Sequence, residues 1–203
     1  MDYQDSELGV IILAGGKSSR MGTDKGLIKL KGIPLVQRAI NNVKIVTDDI
    51  VIVTNNADGY KRFGYQIVGD IITNIGPLGG LYSGFINSSK NRLLVVTCDM
   101  PFLSNEVIKY MNHSIVGYDA VVPIGTTGRA DPLSAIYRRN CVEQIKDAID
   151  GGERKVVSFF SELNIRYLEF EEISHINGAL DSFFNVNTKE DFRRAEIIIE
   201  ERF

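Results

Sequence analysis

The chain has only two cysteines and two histidines in 203 residues. Cys98 and Cys141 stand far apart without metal-ligand spacing. That leaves out a disulfide framework or a cysteine zinc site, and the thiols read as reduced residues of an intracellular protein. His113 and His175 are isolated, and neither has a ligand-spaced partner, so both read as surface or packing residues. There is no excess of positive charge. Twenty-three Lys and Arg stand against 26 Asp and Glu, a net charge of −3, which excludes a generic nucleic-acid binder but not a locally basic pocket. No apolar run approaches the ~20 residues of a membrane helix. The start, Met1-Asp2-Tyr3-Gln4-Asp5-Ser6-Glu7, lacks the basic segment of a secretory signal. The expected location is the cytoplasm, with no membrane partner. No repeat, low-complexity tract or long linker breaks the chain, so residues 1–203 read as a single domain. Hydrophobic content of 44% suits a soluble globular core that needs no disulfide or structural metal.

Chemistry is concentrated first in Leu13-Ala14-Gly15-Gly16-Lys17-Ser18-Ser19-Arg20-Met21-Gly22-Thr23-Asp24-Lys25. It follows an apolar run, Gly9–Leu13, that reads as a buried strand. A strand that breaks into a glycine-rich turn carrying Arg20 and Lys25 suits a polyphosphate. Bare backbone lets phosphate approach, and N–H groups and cations balance its charge. Two common phosphate loops do not fit. The P-loop needs glycine five residues before Gly16, where Ile11 stands, and the dinucleotide fingerprint fails because Gly15 and Gly16 are adjacent.

Short apolar runs alternate with amphipathic stretches along the chain. Strands are predicted at Gly9–Leu13, Ile50–Thr54, Tyr65–Val68, Leu93–Thr97, Ala120–Pro123, Leu133–Tyr137 and Arg166–Glu169. Helices are predicted at Pro34–Val46, Leu78–Ser88, Ser104–His113, Asn140–Asp150, Arg154–Glu162 and Lys189–Arg202. Pro34 suits a first helical position, Ser104 an N-cap, and Thr188 with Asp191 a near capping box. The expected fold is a three-layer α/β/α, Rossmann-like sandwich with a mostly parallel central sheet. Ligands of such sheets bind at the carboxyl ends of the strands, which gathers Gly15, Asn56, Asp70 and Asp99 on one edge. Gly125-Thr126-Thr127-Gly128 reads as a loop and Gly151-Gly152 as a helix break.

Asp99 ends an apolar strand in Thr97-Cys98-Asp99-Met100-Pro101-Phe102-Leu103. A carboxylate at that rim is an oxygen ligand of the kind Mg²⁺ takes when it also contacts phosphates. Asp70 precedes Gly76-Pro77-Leu78-Gly79-Gly80, a small-residue helix entry that a planar base or ribose can approach. Asn55 and Asn56 follow the second strand, and spacing favours Asn56 without excluding its neighbour. In an extended Asn185-Val186-Asn187-Thr188 both amides share one face. Arg129 could set a cation beside a second substrate. Arg154 and Lys155 open a predicted helix where positive charge opposes the macrodipole, which hints at an anion.

The spelling L-A-G-G-x-x-x-R-M-G-x-D-K, together with C-D-x-P-F-L at Asp99, resembles the molybdenum cofactor guanylyltransferase family. Asn56, Asp70, Gly76–Gly80 and Asn185–Thr188 occur in family order, so the resemblance covers most of the chain. It implies a nucleotidyltransferase that moves GMP from GTP to molybdopterin, with Mg²⁺ on Asp99. GTP would contact Leu13, Ala14, Gly15, Gly16, Lys25, Asn56, Asp70, Gly79, Gly80 and Asp99. Arg20, Lys25 and Asp99 would be catalytic. Gly22, Arg129, Lys155, Asn185 and Asn187 would face the pterin. The N-terminal half would hold the NTP and the C-terminal half mainly the acceptor. Molybdoenzymes or their chaperones are the implied recipients of the product. Two alternatives stay open: a cytidylyltransferase acting on molybdopterin or on a sugar or alcohol phosphate, and a non-catalytic nucleotide-binding regulatory module.

Overall fold

In the computed structural model, which describes residues 5–15, 24–125 and 128–202, the apolar run forms strand β1 (Leu8–Leu13), buried throughout. Alternation along the strand sends its side chains to opposite faces of the sheet. Val10 and Ile12 enter one core cluster and Ile11 and Leu13 the other. The next strands are the two-residue β2 (Lys29–Leu30) and β3 (Ile33–Pro34), then β4 (Ile50–Val53), β5 (Gln66–Val68) and β6 (Arg92–Thr97). After them come β7 (Ala120–Pro123), β8 (Ile136–Arg138) and β9 (Ile165–Leu168). In β4, Ile50 and Ile52 face the first cluster and Val51 and Val53 the second; Leu94 and Val96 of β6 oppose Leu93 and Val95 in the same way. Strands apolar on both faces are what a sheet covered on both sides requires.

The covers are α1 (Leu35–Val43), α2 (Ala57–Tyr60), α3 (Pro77–Asn87), α4 (Asn105–Ser114), α5 (Val142–Asp150), α6 (Phe170–Ile173), α7 (Ala179–Ser182) and α8 (Lys189–Glu201). Val36, Ala39, Ile40 and Val43 of α1, with Val107, Ile108 and Met111 of α4, fill the first cluster. Leu78, Leu81 and Phe85 of α3, with Ile145 of α5, fill the second. Phe102 and Val186 join Leu30, Leu35 and Ala195 in a smaller cluster beneath α8.

The seven-stranded sheet has the order β5-β4-β1-β6-β8-β7-β9. β1 pairs in parallel with β4 on one side and β6 on the other, whereas β8 runs antiparallel to β6 and β7. The sheet is therefore the mostly parallel one expected. After β1 the chain moves toward β4, and after β6 it moves the opposite way. The carboxyl ends of β1 and β6 thus flank a topological switch point, where open α/β sheets bind ligands.

Four local readings change. The strand predicted at Leu133–Tyr137 begins only at Ile136, because Asp131 closes a turn ahead of it, accepting from Leu133 N at 3.2 Å and Ser134 Oγ at 2.7 Å. Pro34 lies outside the helix, at φ −55° and ψ 143°, paired with Lys29; α1 starts at Leu35. Ser104 occupies the N-cap position of α4 without capping, and its hydroxyl donates instead to Asn177 O at 2.8 Å. Residues Val156–Glu162 form 3₁₀ turns and Lys155 precedes them. Val156, Val157, Phe159 and Phe160 are weak helix formers, and both phenyl rings turn toward Tyr137, at 6.1 and 6.4 Å between centroids. Arg154 and Lys155 therefore do not sit inside a helix, and the macrodipole reading of that pair lapses. The capping box of Thr188 and Asp191 is present in full, and α5 ends at Asp150, just before Gly151 and Gly152.

Candidate active site

The carboxyl ends of β1 and β6 open on a cavity of about 300 Å³, lined among others by Leu13, Ala14, Gly15, Lys25, Asp70 and Asp99. Asp99 is nine-tenths buried at the end of β6. Both of its carboxylate oxygens have partners: Lys25 Nζ donates to Oδ2 and the Thr97 hydroxyl to Oδ1. Lys25 Nζ also donates to Asn187 Oδ1 at 2.8 Å. The Thr97 hydroxyl stands 3.3 Å from Asn185 Oδ1. An ammonium, a carboxylate and two amide oxygens thus meet at the switch point.

Residues 162 positions apart in sequence meet here for a local reason. Val186 N donates to the Asp99 carbonyl at 2.9 Å and splices the segment before α8 onto the end of β6. The flanking Asn185 and Asn187 then point to the same place, as alternation predicts. Asp191 fixes the outer residue, because its Oδ2 accepts from Asn187 N at 2.9 Å as well as from Thr188 N at 2.8 Å.

Asp24 caps the 3₁₀ turn Lys25–Leu27 that carries the lysine, accepting from Gly26 N at 3.2 Å. Asn56 Nδ2 donates to Asp24 Oδ2 at 2.9 Å, and its Oδ1 caps α2 through Gly59 N at 3.3 Å. Asn55 serves a different carboxylate: its Nδ2 donates to Asp70 Oδ2 at 2.9 Å, while its Oδ1 accepts from Asp70 N at 3.0 Å. Each asparagine of the doublet therefore has its own aspartate. Burial pushes the Cys98 thiol, on the cavity wall, well above its ordinary range, and Asp99 and Asp24 add to the rise, so it is a protonated, inert wall group. Burial likewise pushes the distant Cys141 up to about 12.

Gly80 lines the cavity beside Gly76 and Pro77. Gly79 is held by packing, since a Cβ there would lie 2.6 Å from the Ile72 carbonyl oxygen. Arg129 and Lys155 are exposed and do not line the cavity. Gly16, Arg20 and Gly22 lie outside the described residues. Sequence reasoning missed Thr97, Asp24 as a structural cap, and Tyr60. The spacing Thr97-x-Asp99 is a signal for the first, because a hydroxyl two residues before a carboxylate can reach it locally. Nothing in the sequence marks Tyr60.

An open, doubly wound sheet with a lysine, a strand-end carboxylate and amide oxygens at its switch point defines a nucleotide-binding α/β protein. A family model described as the MobA-like NTP transferase domain matches residues 10–165. The "probable molybdenum cofactor guanylyltransferase" of Pelotomaculum thermopropionicum is 32% identical over 94% of this chain and 92% of its own length. The molybdenum cofactor guanylyltransferase of Desulfosudis oleivorans is 33% identical over 94% of this chain and 95% of its own. The crystal structure of molybdopterin-guanine dinucleotide biosynthesis protein A from Archaeoglobus fulgidus superposes with a TM-score of 0.81 at 26% identity, over 95% of this chain and 99% of that one. The chain belongs to the MobA-like NTP transferase family and is a nucleotidyltransferase.

Proposed function

We propose that this chain transfers GMP from GTP to molybdopterin, forming molybdopterin guanine dinucleotide and pyrophosphate. The observation that carries this reading is the Lys25 ammonium held between Asp99 and Asn187 at the ends of β1 and β6, in a chain whose relatives bear the guanylyltransferase name. An oxygen of the pterin's terminal phosphate forms the new bond to the α-phosphorus of GTP. The bond from that phosphorus to the oxygen bridging the α- and β-phosphates breaks, and its electron pair leaves with pyrophosphate. A phosphate monoester is largely ionised at neutral pH, so no protein nucleophile or base is needed. Two anions must approach, so alignment and charge neutralisation are the main tasks. Lys25 and Arg20 take the charge that develops on pyrophosphate.

The residues present fit a divalent cation. Asp99 offers a carboxylate beside the amide oxygens of Asn185 and Asn187, and Mg²⁺ commonly takes one or two carboxylates together with substrate phosphates. Among the described residues no group of three His, Cys, Asp or Glu could hold a metal alone. In this reading Asp99 holds Mg²⁺ jointly with the nucleotide, and the ion supplies neutralisation of the phosphate charge. Leu13–Gly16, Lys25, Asn56, Asp70 and Gly80 hold GTP in the N-terminal half, whereas Gly79 packs against Ile72. Asn185 and Asn187 serve the pterin side in this reading, and Arg129 and Lys155 stand outside the cavity. The work is cytoplasmic, the product passes to molybdoenzymes or their chaperones, and no nucleic acid takes part. No helix among the described residues is long and apolar enough to cross a membrane.

Calorimetric titration with GTP, CTP, ATP and UTP, each with Mg²⁺, tests the reading. Selective binding of GTP, followed by pyrophosphate release once molybdopterin is added, is expected. Preference for CTP transfers the assignment to a cytidylyltransferase, and binding without pyrophosphate release leaves a regulatory module.

A further inference from the structure

Tyr60 ends the one-turn helix α2, is fully buried, and is not among the residues that line the cavity. Its ring packs in the core cluster that includes Val10 and Ile12 and lies 5.8 Å from that of Phe63, centroid to centroid. Its hydroxyl is nonetheless engaged with the site. It donates to Asp24 Oδ1 at 2.6 Å and stands 3.5 Å from the Ala14 carbonyl oxygen. The turn that carries Lys25 rests directly on this hydroxyl. A Cβ at Gly26 would lie 2.3 Å from the phenolic oxygen and 3.2 Å from Cys98 Sγ, so nothing larger than glycine fits between turn and ring.

We infer that Tyr60 is a positioning residue for Lys25: its buried hydroxyl clamps Asp24, and Asp24 fixes the turn from which the ammonium reaches Asp99 and Asn187. The chain of contacts is continuous. Tyr60 holds Asp24 Oδ1, Asn56 holds Oδ2, and the same carboxylate takes the Gly26 amide that shapes the turn. Two of these three donors come from residues that bracket α2, so that helix serves as the anchor of the lysine turn. Burial, reinforced by Cys98 and Asp24, pushes the phenol well above its ordinary range, so the donor keeps its proton at every working pH. A buried aromatic ring brings little rotamer freedom to the contact, which suits a clamp better than a flexible polar side chain does. Lysine has a long stem with large rotamer entropy. A lysine that must meet a developing charge in one geometry gains most from a fixed base.

The inference rests on the nucleotidyltransfer reading for its kinetic arm and on none of it for its structural arm. Tyr60→Phe deletes the hydroxyl and keeps the ring. Amide hydrogen exchange over residues 24–27 is expected to accelerate at least tenfold, while the amides of β1 and β6 keep their rates. In pyrophosphate-release assays the same variant is expected to lose roughly tenfold in kcat, with KM for GTP changed less than threefold. In a Lys25→Ala background the tyrosine substitution is expected to cost almost nothing further, because the group it positions is gone. Asp24→Asn, which keeps the acceptor for Tyr60 but not the one for Asn56, is expected to give a smaller loss in the same direction. Unchanged exchange at 24–27 overturns the inference, as does an equal loss in both lysine backgrounds. A wild-type protein that binds no GTP and releases no pyrophosphate overturns the proposed function instead, and the exchange arm still decides the role of Tyr60.

Discussion

Two ion pairs of nearly equal burial sit at opposite ends of the central strands. Lys25 and Asp99 are exposed at 22% and 12% of their side chains, and Arg92 and Asp5 at 22% and 15%. Burial therefore does not distinguish them; partners do. Arg92 Nη2 reaches both carboxylate oxygens of Asp5 at 2.9 and 2.8 Å, and the same carboxylate takes Glu7 N at 2.9 Å and Asn112 Nδ2 at 2.8 Å. Every lone pair is committed, and the pair ties the chain before β1 to the start of β6. Lys25 and Asp99 instead line a cavity, and the ammonium is shared with an exposed amide. The first pair is built to stay, and the second can exchange its partners for a ligand. A salt bridge at a site is recognised by what else its groups could bind, not by its distance.

The largest effect expected from breaking this symmetry is on turnover. Lys25→Ala should lower pyrophosphate release on the order of 10²-fold, as removing one electrostatic donor from a transition state does. Its melting temperature should stay close to that of the wild type, because Asp99 keeps the Thr97 hydroxyl and opens on the cavity once the ammonium is gone. A near-wild-type rate would remove Lys25 from the chemistry. Next in size, Thr97→Val leaves Asp99 Oδ1 without its hydroxyl donor and should cost roughly tenfold in kcat, about one charge-assisted hydrogen bond. Equal rates for Thr97→Val and wild type would show that the lysine alone orients the carboxylate.

At the opposite end of the strands the signature reverses. Asp5→Asn should lower the free energy of unfolding by about 1–3 kcal/mol while leaving kcat within twofold, since it breaks a satisfied charge network far from the cavity. Denaturant melts paired with steady-state rates check both halves. Smallest is a change in pH dependence. Burial raises the Asp5 carboxyl, but the Glu7 amide, Asn112 and Arg92 together outweigh it and hold the carboxyl below its ordinary 3.8. Its contribution to stability is therefore complete above that value and is lost as pH falls through the lower folded-state value. Unfolding free energies measured between pH 5 and pH 2 should fall less steeply with acid in Asp5→Asn than in wild type. Parallel curves would sink the claim that this carboxylate is tuned by its partners.

The sequence carried the two-sided apolar runs, and with them the strands and the sheet, because a fully covered strand has to be apolar on both faces. It also carried the strand-end aspartate and the two-residue spacing of Asn185 and Asn187, because both follow from the local period of an extended chain. The weak helix formers around Phe159 take 3₁₀ turns in place of the predicted α-helix, since the pull of Tyr137 on two adjacent rings is not a local property. The asparagine doublet stayed ambiguous for a similar reason. Local geometry allows either residue to face the ligand edge, and only Asp24 and Asp70, brought in from other segments, assign one asparagine to each.

By itself, then, the sequence determined the layers and the strand ends on which the cavity opens, because hydrophobic period and turn chemistry act within a few residues. The tertiary structure alone decided that Val186 docks on the Asp99 carbonyl, that Lys25 meets Asp99 and Asn187, and that a buried tyrosine supports the turn beneath them. Those contacts join segments up to 162 positions apart, and a linear pattern does not encode which distant partners a shared core presses together.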